Sequence, residues 1–126
     1  MYRLNPPNSH AQDIVVRSRT GTGKTLAFAI PVVELLMRKG EVATTGRRTP
    51  RCIILVPTRE LAKQVEAEVR RVTGPLRTLA IYGGVADGPQ MSALSRGVDV
   101  VVGTPGTRAL PFDCLAAVLF LLLPTL

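Results

Sequence analysis

Aromatic side chains are nearly missing from this chain: it has no tryptophan, and aromatic residues make up 4% of its 126 positions. Any core must therefore be aliphatic. With 46% hydrophobic and 20% charged residues, the composition is that of one globular domain rather than a disordered segment. Cysteine is scarce too. Cys52 and Cys114 lie far apart in no metal-ligating spacing, which excludes a disulfide framework and a zinc motif and points to a reducing compartment inside the cell. Long apolar runs are lacking: the greasiest stretch, Cys114 to Leu123, is ten residues, too short for a helix that crosses a bilayer. The opening MYRLNPPNSH shows no apolar run behind a basic end, so no secretory signal is legible. Repeats and low-complexity tracts are absent. Acids are outnumbered, nine against thirteen Arg and three Lys, for a net charge of +7. Such a balance suits a polyanionic partner, because Lys and Arg neutralise phosphates and release counterions. An ordinary basic soluble protein has the same balance, so charge alone decides nothing.

The apolar residues that are present fall into alternating patterns. Asp13–Val16 is a short β-branched run that reads as a buried strand feeding a glycine-rich turn. The stretch LAFAIPVVELLM, from Leu26 on, is apolar nearly all round, which predicts a helix buried on every face. Pro31 inside it predicts a kink or a short first segment, and Gly40 after Arg38 and Lys39 predicts its stop. Residues 41–50 are polar and basic and read as a loop; Arg47, Arg48 and Arg51 there read as a solvated surface rather than a binding patch. Cys52–Val56 is a second buried strand. From Thr58 onward, Leu61, Val65, Val69 and Val72 recur on one helical face, with Glu66 and Arg70 paired on another, and Gly74-Pro75 ends the run. Thr78–Tyr82 is a third strand closed by Gly83-Gly84. Gln90–Arg96 forms a short helix ending at Gly97, and Val98–Gly103 is a fourth strand. Strand and helix alternate throughout, which implies an α/β fold with a parallel sheet, flanking helices and right-handed crossovers.

Chemistry concentrates in RSRTGTGKT, Arg17 to Thr25. Gly21 and Gly23 lack Cβ and let the backbone approach an anion closely, while the amides opening the next helix form a nest favoured by the helix dipole. Lys24 is placed to reach the outer phosphates of a nucleotide as a point charge, and the Thr25 hydroxyl to ligate Mg²⁺. The general phosphate-loop pattern G-x-x-x-x-G-K-[ST] would have glycine where this chain has Ser18.

SRTGTGKT resembles the first motif of DEAD-box ATP-dependent RNA helicases, which opens with a small residue in place of that glycine. Further matches come in the family's order: PTREL, Pro57 to Leu61, resembles motif Ia; Gly83-Gly84 resembles the GG element; Thr104-Pro105-Gly106 resembles motif Ib. The resemblance implies the N-terminal part of the first RecA-like domain of a helicase, with ATP and Mg²⁺ as cofactors and RNA as partner. It implies nucleotide binding by Ser18, Arg19, Thr20, Gly21, Thr22, Gly23, Lys24 and Thr25, with Lys24 and Thr25 carrying the chemistry and Thr25 the metal. It implies RNA-backbone contacts, without sequence readout, by Pro57, Thr58, Arg59, Gly83, Gly84, Thr104, Pro105 and Gly106. Each has a plainer reading beside it: Thr58 as an ordinary helix cap, Arg59 as the partner of an acid, Gly83-Gly84 as a turn.

Departures from the family pattern shape the remaining expectations. The adenine-reading glutamine would fall at or before Met1, and Gln12 is too close to the loop to replace it. Thr107 stands where the family has arginine after the Thr-Pro-Gly element. AAVLFLLL matches the strand that would deliver Asp-Glu-Ala-Asp, but Pro124-Thr125-Leu126 follows. The Ser-Ala-Thr element and the second domain with its arginine fingers are not encoded. The expected organisation is residues 1–12 without the glutamine motif, 13–106 as a partial RecA-like domain and 107–126 as a divergent apolar tail. An arginine finger is worth roughly three to five decades in rate, so negligible ATP hydrolysis and no unwinding are expected of this polypeptide alone. With no Ser-Ala-Thr strand to pair it, Asp13–Val16 is expected to leave an apolar edge that favours aggregation. A non-catalytic nucleotide- or RNA-binding fragment and an inert truncated product are the alternatives.

Overall fold

The computed structural model of the chain describes residues 23–38, 50–107 and 118–120. Its elements are α1 (Lys24–Arg38), β1 (Cys52–Leu55), α2 (Arg59–Thr73), β2 (Thr78–Ile81), α3 (Asp87–Ser95), β3 (Val100–Gly103) and β4 (Val118–Phe120). The strand expected at Asp13–Val16, the loop from Ser18 to Thr22, the stop at Gly40 and the basic pair Arg47 and Arg48 lie outside the described residues.

The strands form one parallel sheet in the order β2-β3-β1-β4. Cys52 pairs with Val100 and Leu55 with Gly103; Ile53 pairs with Val118 and Leu55 with Phe120. A parallel sheet is covered on both faces, so its inner strands are continuous apolar runs, and every residue of β1 and β3 is buried. Alternation divides them. Cys52, Ile54, Val56, Val100 and Val102 pack against Ala29 and Leu36 of α1 and Ala62, Val65 and Val69 of α2. Ile53, Leu55, Val101 and Ile81 point the other way, with Leu79 and Leu94 packed on them. Within the first layer, burial pushes the Cys52 thiol up to about 11, which keeps it neutral and unreactive.

α2 follows its sequence pattern closely. Thr58 is extended (φ −127°, ψ 154°) and its hydroxyl accepts from the Leu61 amide at 3.2 Å, a side-chain N-cap. Glu66 and Arg70 pair across one turn, and the Thr78 hydroxyl donates to Glu66 at 3.0 Å, tying the helix to β2. Thr58→Ala removes the cap and is expected to lower stability by about 1 kcal/mol, read as a shift in the urea midpoint with an unchanged slope.

Three expectations about the helices need correction. α1 continues through Pro31 as one helix of 15 residues, so there is no short first segment. Ala29 and Val33, buried on either side of Pro31, anchor both turns to the core and offset the amide donor that proline lacks. Nor is α1 buried on every face. Ala29, Val33 and Leu36 are inside, whereas Leu26, Ile30, Leu35 and Met37 are 41–52% exposed, because one helix can turn only one stripe to a sheet. α3 starts at Asp87, ahead of the expected Gln90: Gly88-Pro89 reads as a turn, yet proline is well placed in a first helical turn, where its missing amide has no intrahelical acceptor.

The amino-terminal edge of the sheet is fastened by Asp99, which is 4% exposed. Its carboxylate accepts from the Arg77 amide at 3.0 Å and faces Arg51 Nε at 3.5 Å, while its carbonyl accepts from the amides of Arg51 and Cys52. Arg51 also donates to the carbonyl of Leu36 at 3.0 Å. It is a half-buried structural clasp, not part of the solvated surface that the basic loop suggested.

Candidate functional site

In a parallel α/β sheet, ligands bind beyond the carboxyl ends of the strands, where the chain turns into its crossovers. Three of the motif-like segments leave the sheet at that edge. Val56 and Pro57–Arg59 continue β1 into α2, Tyr82–Gly84 continue β2, and Thr104–Thr107 continue β3. The Val56 amide donates to the Gly103 carbonyl at 2.9 Å and the Thr104 amide to the Ile81 carbonyl at 3.2 Å, so the three exits are laced to one another past the last strand residues. Pro57, Thr58, Arg59, Gly83, Gly84, Pro105 and Gly106 are exposed, and Thr104 is half-buried.

The PTREL and GG segments meet directly. A Cβ built on Gly84 would sit 3.6 Å from the Arg59 guanidinium, and Gly84 has φ +81°, a conformation that side chains rarely adopt. Glycine here is set by backbone conformation, since 3.6 Å from the arginine is ordinary van der Waals contact. Arg59 Nε donates to Glu60 at 2.9 Å. That hydrogen bond, joined by one from its own backbone amide, holds the Glu60 carboxyl below the usual carboxylate range. Both side chains are more than half exposed, and solvent screens exposed pairs of this kind, so an incoming anion can compete for the arginine. Beside them the Lys63 ammonium lies 5.3 Å from the centre of the Tyr82 ring, a cation–π contact that places a second positive charge at the exit of β2.

The third exit is closed by its own threonines. Thr107 donates to the Thr104 carbonyl at 2.9 Å, and the two hydroxyls lie 3.0 Å apart. Thr107 is 6% exposed, so where the family pattern has an arginine this chain has a small residue that locks the Thr-Pro-Gly turn from inside.

Of the phosphate-loop residues, Gly23, Lys24 and Thr25 are described, and Ser18, Arg19, Thr20, Gly21 and Thr22 lie outside the described residues. Gly23 is exposed with φ +73°; a Cβ there would touch nothing within 4 Å, so conformation rather than space calls for glycine. Its carbonyl accepts from Ala27 at 3.0 Å, the first bond of α1. Lys24 and Thr25 are half-exposed in that first turn, which contains no acidic residue to offset the positive end of the helix dipole. The Arg51–Leu36 bond puts the far end of α1 at the amino edge of β1. A helix of 15 residues is about 22 Å long, so it carries Gly23–Thr25 back toward the carboxyl edge. These groups fit a nucleotide triphosphate: backbone amides at a helix start, an ammonium, and a hydroxyl suited to Mg²⁺. Among the described residues no cluster of three or more His, Cys, Asp or Glu could hold a metal by itself. No helix among them is long and apolar enough to cross a membrane.

Sequence reading missed one residue of this edge. Gln90 is buried and bonds both backbone groups of Tyr82.

Comparison with known proteins gives a consistent result. The family model described as DEAD/DEAH box helicase matches residues 4–114. DEAD-box ATP-dependent RNA helicase 3A, chloroplastic, of Zea mays is 54% identical over 101 residues, 79% of this chain and 14% of that protein. Nucleolar RNA helicase 2-A of Xenopus laevis is 50% identical over 95 residues, 75% of this chain and 12% of that protein. The crystal structure of a DEAD box protein from the hyperthermophile Methanococcus jannaschii superposes with a TM-score of 0.63 at 36% identity, covering 82% of this chain and 29% of that one. The chain thus spans a small part of the length of the relatives it matches.

Proposed function

The chain belongs to the DEAD/DEAH box helicase family, and from that membership we propose that it is the ATP- and RNA-binding part of an ATP-dependent RNA helicase. ATP with Mg²⁺ is held by Ser18–Thr25, with Lys24 on the outer phosphates and Thr25 on the cation. RNA runs along the carboxyl edge and is held through its backbone by Pro57, Thr58, Arg59, Gly83, Gly84, Thr104, Pro105 and Gly106. The observation that carries the RNA half is the convergence of the three β-strand exits, with the Arg59 guanidinium over the exposed backbone of Gly84. Exposed amides beside an arginine and a lysine suit a phosphodiester and read no base edges. In this reading residues 13–106 form a partial RecA-like unit; β4 extends its sheet beyond residue 106 by pairing with β1. The place of work is inside the cell, as for relatives whose names assign them to chloroplast and nucleolus.

Hydrolysis is a separate matter. Bound Mg²⁺ would supply charge neutralisation at the β- and γ-phosphates, and Lys24 would orient them, but phosphoryl transfer also needs a group that positions the nucleophile. The activity proposed for these residues is binding of the nucleotide and of RNA. The test is anisotropy of a labelled single-stranded RNA across a salt series. Affinity is expected to fall with salt with a logarithmic slope of roughly −0.7 per phosphate contacted, at similar strength for unrelated sequences. Binding that ignores salt, or none at low salt, would sink the RNA assignment.

A further inference from the structure

Gln90 joins the third helix to the exit of β2 in a way that packing does not require. It is 8% exposed. Its Oε1 accepts from the Tyr82 amide at 3.0 Å and its Nε2 donates to the Tyr82 carbonyl at 3.2 Å. β2 stands at the end of the sheet order, with β3 on one side. On the other side of Tyr82 the glutamine amide therefore supplies the acceptor and donor that another strand would supply. Tyr82 is also the last residue before Gly83-Gly84, and two glycines have no side chains with which to fix their own path. That path is set from its ends: Tyr82 at one, and the start of α3, which carries Gln90, at the other. The Ala86 N-cap makes no side-chain hydrogen bond, so α3 has no cap of its own that would anchor this end instead.

We propose that Gln90 is a positioning residue for RNA: by clamping Tyr82 it sets the height and direction at which the Gly83-Gly84 backbone meets the RNA backbone, without touching RNA itself. The inference rests on the RNA-binding reading of the carboxyl edge. A buried amide costs stability unless both of its ends are bonded, so a side chain chosen for packing alone would be apolar. Here both ends are bonded to one residue, which fixes position rather than merely filling space.

The test uses the full chain with three readouts: RNA anisotropy, binding of a fluorescent ATP analogue with Mg²⁺, and thermal melting. Gln90→Met fills the site but bonds neither backbone group. It is expected to weaken RNA binding on the order of tenfold and to leave the ATP analogue bound as in wild type. Gln90→Glu gives a signature that packing would not. At about pH 8 its carboxylate turns an oxygen on the Tyr82 carbonyl and RNA binding is lost; toward about pH 5.5 the protonated acid donates there as the amide does, and burial raises the pH at which this occurs. RNA affinity relative to wild type is then expected to recover as pH falls. Asp87 on the same helix, Tyr82 itself, and Lys63 and Arg59 beside the loop are present in both proteins, so the ratio removes their contributions. Wild-type RNA affinity in both variants would overturn the positioning role, as would parallel losses of RNA binding, nucleotide binding and melting temperature. Failure of the wild type to bind RNA would instead overturn the parent reading and this inference with it.

Discussion

Alanine at position 24 is expected to weaken binding of a fluorescent Mg–ATP analogue by on the order of a hundredfold or more, while leaving RNA affinity without nucleotide unchanged. A unit charge 4 Å from a phosphate is worth about 4 kcal/mol at the effective dielectric near a protein surface, close to three decades in affinity. Lys24 is half-exposed, so solvent screens part of that, and two decades is the sounder figure. The first turn of α1 has no acidic residue, so no carboxylate in that turn repels the phosphates, and no other side chain in the turn replaces the ammonium. Thr25→Ala is a weaker lesion, because Mg²⁺ keeps several waters and a phosphate oxygen when one hydroxyl is lost. An unchanged dissociation constant for Lys24→Ala, measured by fluorescence titration, would show that the nucleotide is held elsewhere.

Asp99→Ala is expected to lower stability by about 3 kcal/mol, a large share of the 5–15 kcal/mol typical of a domain. Its side chain is 5% exposed and that of Arg51 22%, so removing the carboxylate leaves a mostly buried guanidinium without its counter-charge and the Arg77 amide without its acceptor. The lower end of the range for broken buried pairs applies, because the contact is 3.5 Å and Arg51 keeps its bond to Leu36. Asp99→Asn retains an acceptor for the Arg77 amide and should lose about half as much. Urea midpoints for the two variants check the order; equal losses would show that the amide bond contributes nothing.

The sheet was legible because its signal is local and redundant. CIIL and VVVG are apolar without interruption, and in a chain with alternating helices that pattern is a parallel strand. α2 was equally plain, since Thr58, the valine spacing and Gly74 state its start, face and stop. α1 misled because composition gives the apolar content of a helix, not how many neighbours it has; Ile30 and Met37 are as hydrophobic as Val33 but face outward. α3 was shortened because Gly88-Pro89 reads as a break when only the sequence is seen. At the functional edge, the residues with motif character were found, whereas Gln90 was not, and at the opposite, amino-terminal edge Asp99 was missed as well. Both act on backbone groups distant in sequence, Gln90 on Tyr82 and Asp99 on Arg77, and no spacing rule announces such partners.

The strand order also bears on how the chain is made. β1 has β3 on one side and β4 on the other, and both are synthesised after it; β2, the next strand to emerge, does not touch it. On the ribosome, Cys-Ile-Ile-Leu therefore waits with both ladders open until Val100–Gly103 has left the exit tunnel, and α2 can shield only one of its faces meanwhile. A nascent chain halted before β3 should be held by a chaperone or cleaved by protease, and one released after it should resist both.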